Sequence, residues 1–227
     1  MPRANTEDED TLQHWAAANG HLRVIARFCR RLVAVDALAE TQDRDRQTPL
    51  HRAAWGGHLD QVRVVCPRAL TSRHLHVRDA DGQTPFDLAI KRGFCRQLRE
   101  ACPRALTLKN LLAGIDDGTT PLHWAAHNGQ LDEVYAACPE ALDPEALCHQ
   151  NDHGHSPLHW AAHAGNLGQV AQFCPAALTA ESLTGHRDVD GRTPLHLAAR
   201  AGRLDQIPPI DPADLPRIFD AFFSKGK

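Results

Sequence analysis

Histidine and cysteine carry most of the reactive chemistry of this chain, with fifteen of the first and seven of the second among 227 residues. Two histidine pairs, His123 with His127 and His159 with His163, stand four residues apart. On a helix that spacing puts two imidazoles on one face, where they could chelate zinc. Neither pair encloses a glutamate after its first histidine, so the His-Glu-x-x-His pattern of a metal-dependent hydrolase is absent. The chain also has no Gly-x-Ser-x-Gly, no phosphate-cradling glycine loop and no kinase signature. Acid pairs such as Asp116-Asp117 fall in turn sequences, where solvated charge accounts for them. No catalytic residue, metal or cofactor is expected, and a metal-binding enzyme is the remotest reading.

The cysteines are regular. Cys29, Cys66, Cys102, Cys138 and Cys174 recur at steps of 36 or 37 residues, four of them in a Cys-Pro-x-Ala-Leu context. Equivalent positions in stacked units lie about 8–10 Å apart, whereas a disulfide needs Cα atoms within roughly 7 Å. The ladder should therefore stay reduced and act as small apolar filler at a helix end, as in a reducing compartment. Cys95 and Cys148 lie off the ladder.

The elements that position these residues are themselves repeated. Variants of Thr-Pro-Leu-His-x-Ala-Ala begin at Thr11, Thr48, Thr84, Thr120, Ser156 and Thr193. A fixed period in the range of about 20–50 residues signals a repeat array. Within the copy that starts at Thr120, the threonine can cap a helix and Pro121 suits its first position. Leu122, Ala125 and Ala126 form the apolar stripe, and Asn128-Gly129 stops the helix. Leu131, Val134 and Cys138 share one face of a second helix, which Pro139 ends. Asp143-Pro144 repeats the cap-plus-proline start, so a third, short helical turn is expected there and at Thr71–Leu75, Thr107–Leu111 and Thr179–Leu183. Each unit closes on a turn such as Asn151-Asp152-His153-Gly154. In the first copy Arg46 replaces the glycine of the others, which strains that turn if a positive φ is required.

The scaffold also has a use for the fourth motif position, held by His14, His51, His123, His159 and His196. One ring nitrogen can bond the hydroxyl of the same motif and the other a neighbouring backbone group, which competes with any metal role for His123 and His159.

Composition narrows the classes. Acids (28) slightly outnumber Lys and Arg (25), for a net charge of −3; this argues against nucleic acid, which needs a dominant basic stripe. No apolar run approaches the roughly 18–20 residues that span a bilayer, and Met1–Asp10 lacks the pattern of a signal peptide. A cytoplasmic monomer is expected, with export by a route lacking such a signal left open.

Taken together, the Thr-Pro-Leu-His cassette, Gly-x-Leu opening the second helix and Asp-x-x-Gly before the next copy resemble the ankyrin repeat over about residues 11–207. The resemblance implies an all-α solenoid of stacked helix-turn-helix repeats with projecting turns or short hairpins, preceded by an acidic flexible tail (1–10) and followed by a Pro-rich capping segment (208–227). It also implies protein binding on a concave groove with the turns as its rim. The period departs from the family's usual 33, which puts the register of the outer face in question. The third copy reads Thr84-Pro85-Phe86-Asp87, without histidine.

On that reading the groove carries the fifth and eighth motif positions. The fifth-position residues are Trp15, Arg52, Leu88, Trp124, Trp160 and Leu197, and the eighth-position ones include Trp55, Lys91, His127, His163 and Arg200. The turn tips add Arg44, Arg46, Arg78, Asp81, His153, His155, Arg187 and Arg192. Trp and Arg are enriched among binding hot spots, so a partner protein is the expected ligand. The alternatives are that the tryptophans only pack on neighbouring repeats, and that the chain is a structural scaffold for an activity held by another chain.

Overall fold

The computed structural model describes residues 11–207; the acidic tail and the Pro-rich capping segment expected from the sequence lie outside the described residues. Two compact units divide after Leu106. Helices and turns account for the secondary structure, with no strand among the described residues.

The first unit holds α1 (Leu12–Ala18), α2 (Leu22–Phe28), α3 (Val35–Ala39), α4 (Pro49–Gly56), α5 (Leu59–Val65), α6 (Ser72–Leu75), α7 (Pro85–Lys91) and α8 (Cys95–Ala101). The second holds α9 (Leu108–Leu111), α10 (Pro121–His127), α11 (Leu131–Ala137), α12 (Pro144–Cys148), α13 (Pro157–Ala164), α14 (Leu167–Phe173), α15 (Ala180–Thr184) and α16 (Pro194–Arg200). In the first unit α1, α4 and α7 pack side by side, and so do α2, α5 and α8; in the second, α10, α13 and α16 form one row and α11 packs on α14.

Alanine pairs make this packing close. Ala53, Ala54, Ala125, Ala126, Ala161 and Ala162 are fully buried, as are Leu50, Leu122 and Leu158 beside them. The second helices bury Leu59 with Val62, Leu131 with Val134 and Leu167 with Val170. Because each helix is only five to eight residues or shorter, burial rather than intrinsic propensity holds it.

The expected third helical turn is present in every complete repeat, as α3, α6, α9, α12 and α15. Thr71, Thr107, Asp143 and Thr179 cap four of these by accepting a backbone N–H three residues on. Each also buries one leucine completely: Leu38, Leu75, Leu111, Leu147 and Leu183. The cysteine ladder sits at the C-caps of the second helices, and the prolines after it open single 3-10 turns, Pro67–Ala69, Pro103–Ala105, Pro139–Ala141 and Pro175–Ala177. These turns bury their final alanines fully. All seven cysteines are free thiols. Burial, with Glu140 adding to it, raises Cys138 to about 11, and burial raises Cys102 and Cys174 as well. A thiol held protonated is a poor nucleophile, in keeping with a filler role.

The histidine reading holds in detail. In His51, His123 and His159, Nδ1 lies 2.8 Å from the motif hydroxyl and also accepts the backbone N–H of the same Thr or Ser at 2.9–3.1 Å. A nitrogen that accepts an N–H cannot itself carry a proton, so the hydrogen sits on Nε2. From there it donates to a carbonyl belonging to the next turn: Val77 at 3.0 Å, His155 at 3.0 Å and Arg192 at 3.3 Å respectively. In the third copy Asp87 takes over the capping half of this role, accepting from the Thr84 N–H at 2.9 Å and its hydroxyl at 2.7 Å. A carboxylate keeps the cap but has no second nitrogen to hand on.

The turns are built on a buried carboxylate or amide. Oδ1 of Asp79, Asn151 and Asp188 each accepts two backbone N–H groups of its own turn. The glycines that complete these turns have φ near +73°, and Arg46, at φ 59°, is the one non-glycine residue in the left-handed region among the described residues. Left-handed backbone costs an L-residue about 1–2 kcal/mol, partly offset here because glycine loses more entropy on folding. Arg46→Gly should therefore stabilise the first unit by about 0.5–1 kcal/mol, read as a higher urea midpoint at unchanged slope.

Candidate functional site

A groove of about 330 Å³ opens in the second unit, lined by side chains of α10, α13 and α16 and of two turns. The capping proline of each helix sets where its fifth and eighth motif residues point. Trp124 and Trp160 come from the fifth position of adjacent repeats and meet edge to face, ring centroids 4.5 Å apart at 87°. Both are half-buried. Offset or edge-to-face contacts of this kind are the favoured arrangement of aromatic pairs. The eighth position contributes His127 and His163, whose rings stack at 6.3 Å and 19°, and the exposed Arg200. His127 also lies edge-on to Trp160 at 5.7 Å. Burial, with the neighbouring His163 adding to it, holds His127 below the usual histidine range, so it is neutral at pH 7.

The turn end is closed by a carboxylate cluster. Asp188, buried, accepts from Arg192 Nε at 2.8 Å and lies 3.2 Å from His155 Nε2. Burial pushes Asp188 upward, but the hydrogen bonds from Arg192 outweigh it and hold the carboxyl below its ordinary value. Arg192 Nη2 also meets Asp190 at 2.5 Å. Arg192, the cation of the turn end, is thereby occupied, and His155 is engaged beside it.

The first unit places its expected residues differently. Trp15 and Trp55 are 53% and 43% exposed. The Arg92 guanidinium lies 4.5 Å over the Trp55 ring, a cation–π contact that the motif register did not single out. Arg52 pairs with the buried Asp43 at 2.9 Å, and Lys91 donates to Gln83 at 3.1 Å. Leu88 is buried at 3% exposure and Leu197 at 6%, so Leu197 forms the floor of the second-unit groove rather than a reaching side chain. Of the turn tips, Arg44, Arg46, Arg78, Asp81, His153 and Arg187 are exposed, while His155 and Arg192 are partly covered and belong to the groove wall. Arg78 and Arg187 each donate to a glycine carbonyl of their own turn, Gly82 at 2.8 Å and Gly191 at 2.9 Å.

Adjacent repeats are held in register by contacts that sequence reading missed. Gln97 and Gln169 reach back one repeat to donate to the Gly57 and Gly129 carbonyls at 2.5 and 2.8 Å, and Gln61 does the same to Gly20. Their recurrence in the motif register was the available signal. Turn tips are tied by single backbone bonds, Ala80 N–H to Asp45 O at 2.8 Å in the first unit and Asp152 N–H to Asp117 O (3.0 Å) and Val189 N–H to His153 O (3.1 Å) in the second. No group of three or more His, Cys, Asp or Glu converges on a metal-sized site among the described residues. His123 and His159, the first members of the two spaced pairs, are committed to the scaffold.

The geometry agrees with comparison to known proteins. A curated relative, ankyrin repeat domain-containing protein 49, is 43% identical over 58 residues in Bos taurus and 44% over 57 in Homo sapiens. Those segments cover 25% of this chain but only 23% and 22% of the relatives, so the chain spans less than a quarter of their length. Among solved structures, one chain of the complex between the predatory endopeptidase Bd0816 of Bdellovibrio bacteriovorus and immunity protein Bd3460 superposes with a TM-score of 0.64. It is 20% identical and the match covers 87% of this chain and 95% of that one, a likeness of fold. No helix among the described residues is long and apolar enough to cross a membrane. The three-copy family model for ankyrin repeats matches residues 2–70, 98–175 and 142–207. With that coverage, and with the helix pairs, capped motifs and turns described above, the chain belongs to the ankyrin-repeat family.

Proposed function

We propose that the chain is a non-enzymatic interaction module that holds a partner protein across the groove formed by the first helices, with the turn tips as its rim. Ankyrin repeats generally serve protein–protein interaction. The observation that carries the reading for this chain is the half-exposed Trp124–Trp160 pair flanked by the exposed Arg200. Indole rings left partly in water forgo roughly 25 cal/mol for every Å² they could bury, and Trp and Arg dominate binding hot spots. In the second unit His127 and His163 are adaptable polar neighbours and Leu197 is the floor; the first unit, taken by itself, offers the same chemistry in Trp15 and Trp55, with Arg52 and Lys91 as polar neighbours and Leu88 buried beneath. Buried, free thiols support a reducing, cytoplasmic setting.

The test is capture of partners from the source proteome by the full chain, followed by affinity measurement for each. Changing Trp15, Trp55, Trp124 and Trp160 together to Ala should weaken binding by roughly 1,000-fold, the loss expected from two hot-spot residues at about 2 kcal/mol each, while circular dichroism stays native. Undiminished affinity in a folded quadruple variant defeats the groove reading and leaves the scaffold alternative.

A further inference from the structure

The groove of the second unit has a direction. At its turn end, charge is already spent: Asp188 is satisfied by Arg192 and His155, and Asp190 faces Arg192. The middle offers the apolar edges of Trp124 and Trp160. The far end lies one helix length away, about 10 Å at 1.5 Å per residue, where His127, His163 and Arg200 occupy the last turns of α10, α13 and α16. Arg200 is exposed and has no hydrogen-bond or ion-pair partner among the described residues, and His163 is exposed beside it in the row. Apart from Asp188 and Asp190, which Arg192 and His155 already engage at the turn end, no aspartate or glutamate stands at the groove among the described residues, although the chain as a whole carries a net charge of −3.

From this polarity we propose that the groove takes an extended acidic segment of a partner protein, with an apolar side chain against the Trp124–Trp160 pair and carboxylates along the His163–Arg200 end. The inference rests on the groove reading above and adds the chemistry of the ligand. An extended peptide places alternate side chains on one side at about 6.6 Å, close to the 6.3 Å step between the His127 and His163 rings. Carboxylates two residues apart can therefore follow the row from one repeat to the next. A basic segment would meet Arg200 with like charge, and a neutral one would offer its guanidinium only uncharged acceptors.

The probe is a short fluorescein-labelled peptide of alternating Glu and Ser around a central Leu, compared with counterparts in which every Glu is Gln or Lys. Anisotropy is read with the full chain at low and at physiological salt. The Glu peptide should bind roughly threefold tighter than the Gln peptide, as one partly exposed ion pair with Arg200 would give, and the Lys peptide weakest. Higher salt should narrow the gap. Arg200→Ala should erase most of the Glu preference, bringing the Glu peptide down to the affinity that the same variant shows for the Gln peptide, and Trp124→Ala with Trp160→Ala should weaken both peptides alike. Equal binding of Glu and Gln peptides, an intact preference in Arg200→Ala, or no binding of any peptide overturns the inference. Charge-blind binding that still depends on the tryptophans would overturn it while leaving the groove reading standing; partner affinity that ignores the tryptophans defeats that reading separately.

Discussion

Acidification from neutral pH to about pH 4 should unfold this protein, with most of the loss between about pH 6 and 4.5. His51, His123 and His159 are each lowered from 6.5 to about 4, chiefly by burial. Unfolded, they take up protons below pH 6.5; folded, they resist until pH 4, so the unfolded chain binds more protons throughout that window and stability falls as pH falls. A shift of about 2.5 units corresponds to roughly 3 kcal/mol per histidine once fully expressed, and roughly 2 kcal/mol at about pH 5. Three such groups amount to something near the whole folding free energy of a typical domain, about 5–15 kcal/mol. The hydrogen bonds explain why the structure does not yield: a proton added to Nδ1 of His123 would face the Thr120 N–H that now donates to it at 3.1 Å. Asp87, raised by burial, works in the opposite direction, but it is one group against three. Asp188, held low, adds to the acid loss.

The check is urea unfolding followed at a series of pH values, in wild type and in His123→Gln with His159→Gln. Glutamine at this position can keep the reciprocal cap with Ser or Thr and does not titrate. The variant should be less stable than wild type at pH 7, having lost two Nε2–carbonyl bonds, yet its stability should fall more gently on acidification. Parallel curves for the two proteins would refute the assignment of the acid loss to these histidines.

Much of this architecture was legible because the motif residues act locally. A cap, its proline and the residue three places on form one hydrogen-bonded unit, so a single sequence sufficed to assign His51, His123 and His159 to the scaffold and to mark Arg46 as strained. The third helical turn was readable for the same reason, from Asp143-Pro144 and its counterparts. What could not be read were properties decided across repeats. Leu88 and Trp124 share a motif position, yet one is buried and the other half-exposed, a difference that periodicity does not encode. The stacking of Arg92 on Trp55 depends on where a flexible side chain settles after packing. The closure of Arg192 and His155 on Asp188 is of the same kind: the turn sequence placed Asp188 in a turn but did not show that its second oxygen would meet both neighbouring side chains. Asp87 in place of histidine was visible as a departure, while its substitute capping bonds emerged only with coordinates.

Leu147→Ala should destabilise the second unit by about 2–5 kcal/mol, as much as a deletion in its main helices. The extra length over the usual repeat lies where Cys-Pro-x-Ala-Leu and the short third helix stand, and α12 packs against α13, the first helix of the next repeat. Were that segment an ornament, truncating it would cost little. Leu147 is instead fully enclosed, as are Leu111 and Leu183 at the same place in neighbouring repeats, and Ala141 and Ala177 beneath them. The cap at Asp143, whose carboxylate accepts the Ala146 N–H at 2.7 Å, aims the leucine inward by starting α12 at a fixed residue. Each repeat thus has three apolar contributors, and a repeat that buries only against its neighbours cannot redistribute a cavity through a larger core. Comparison with Tyr135→Ala, which truncates a residue 44% exposed on α11, supplies the contrast. Thermal and urea unfolding should show a large loss for Leu147→Ala and a much smaller one for Tyr135→Ala. Equal small losses would mean that the extra segment docks loosely, and that two helices per repeat carry the stability.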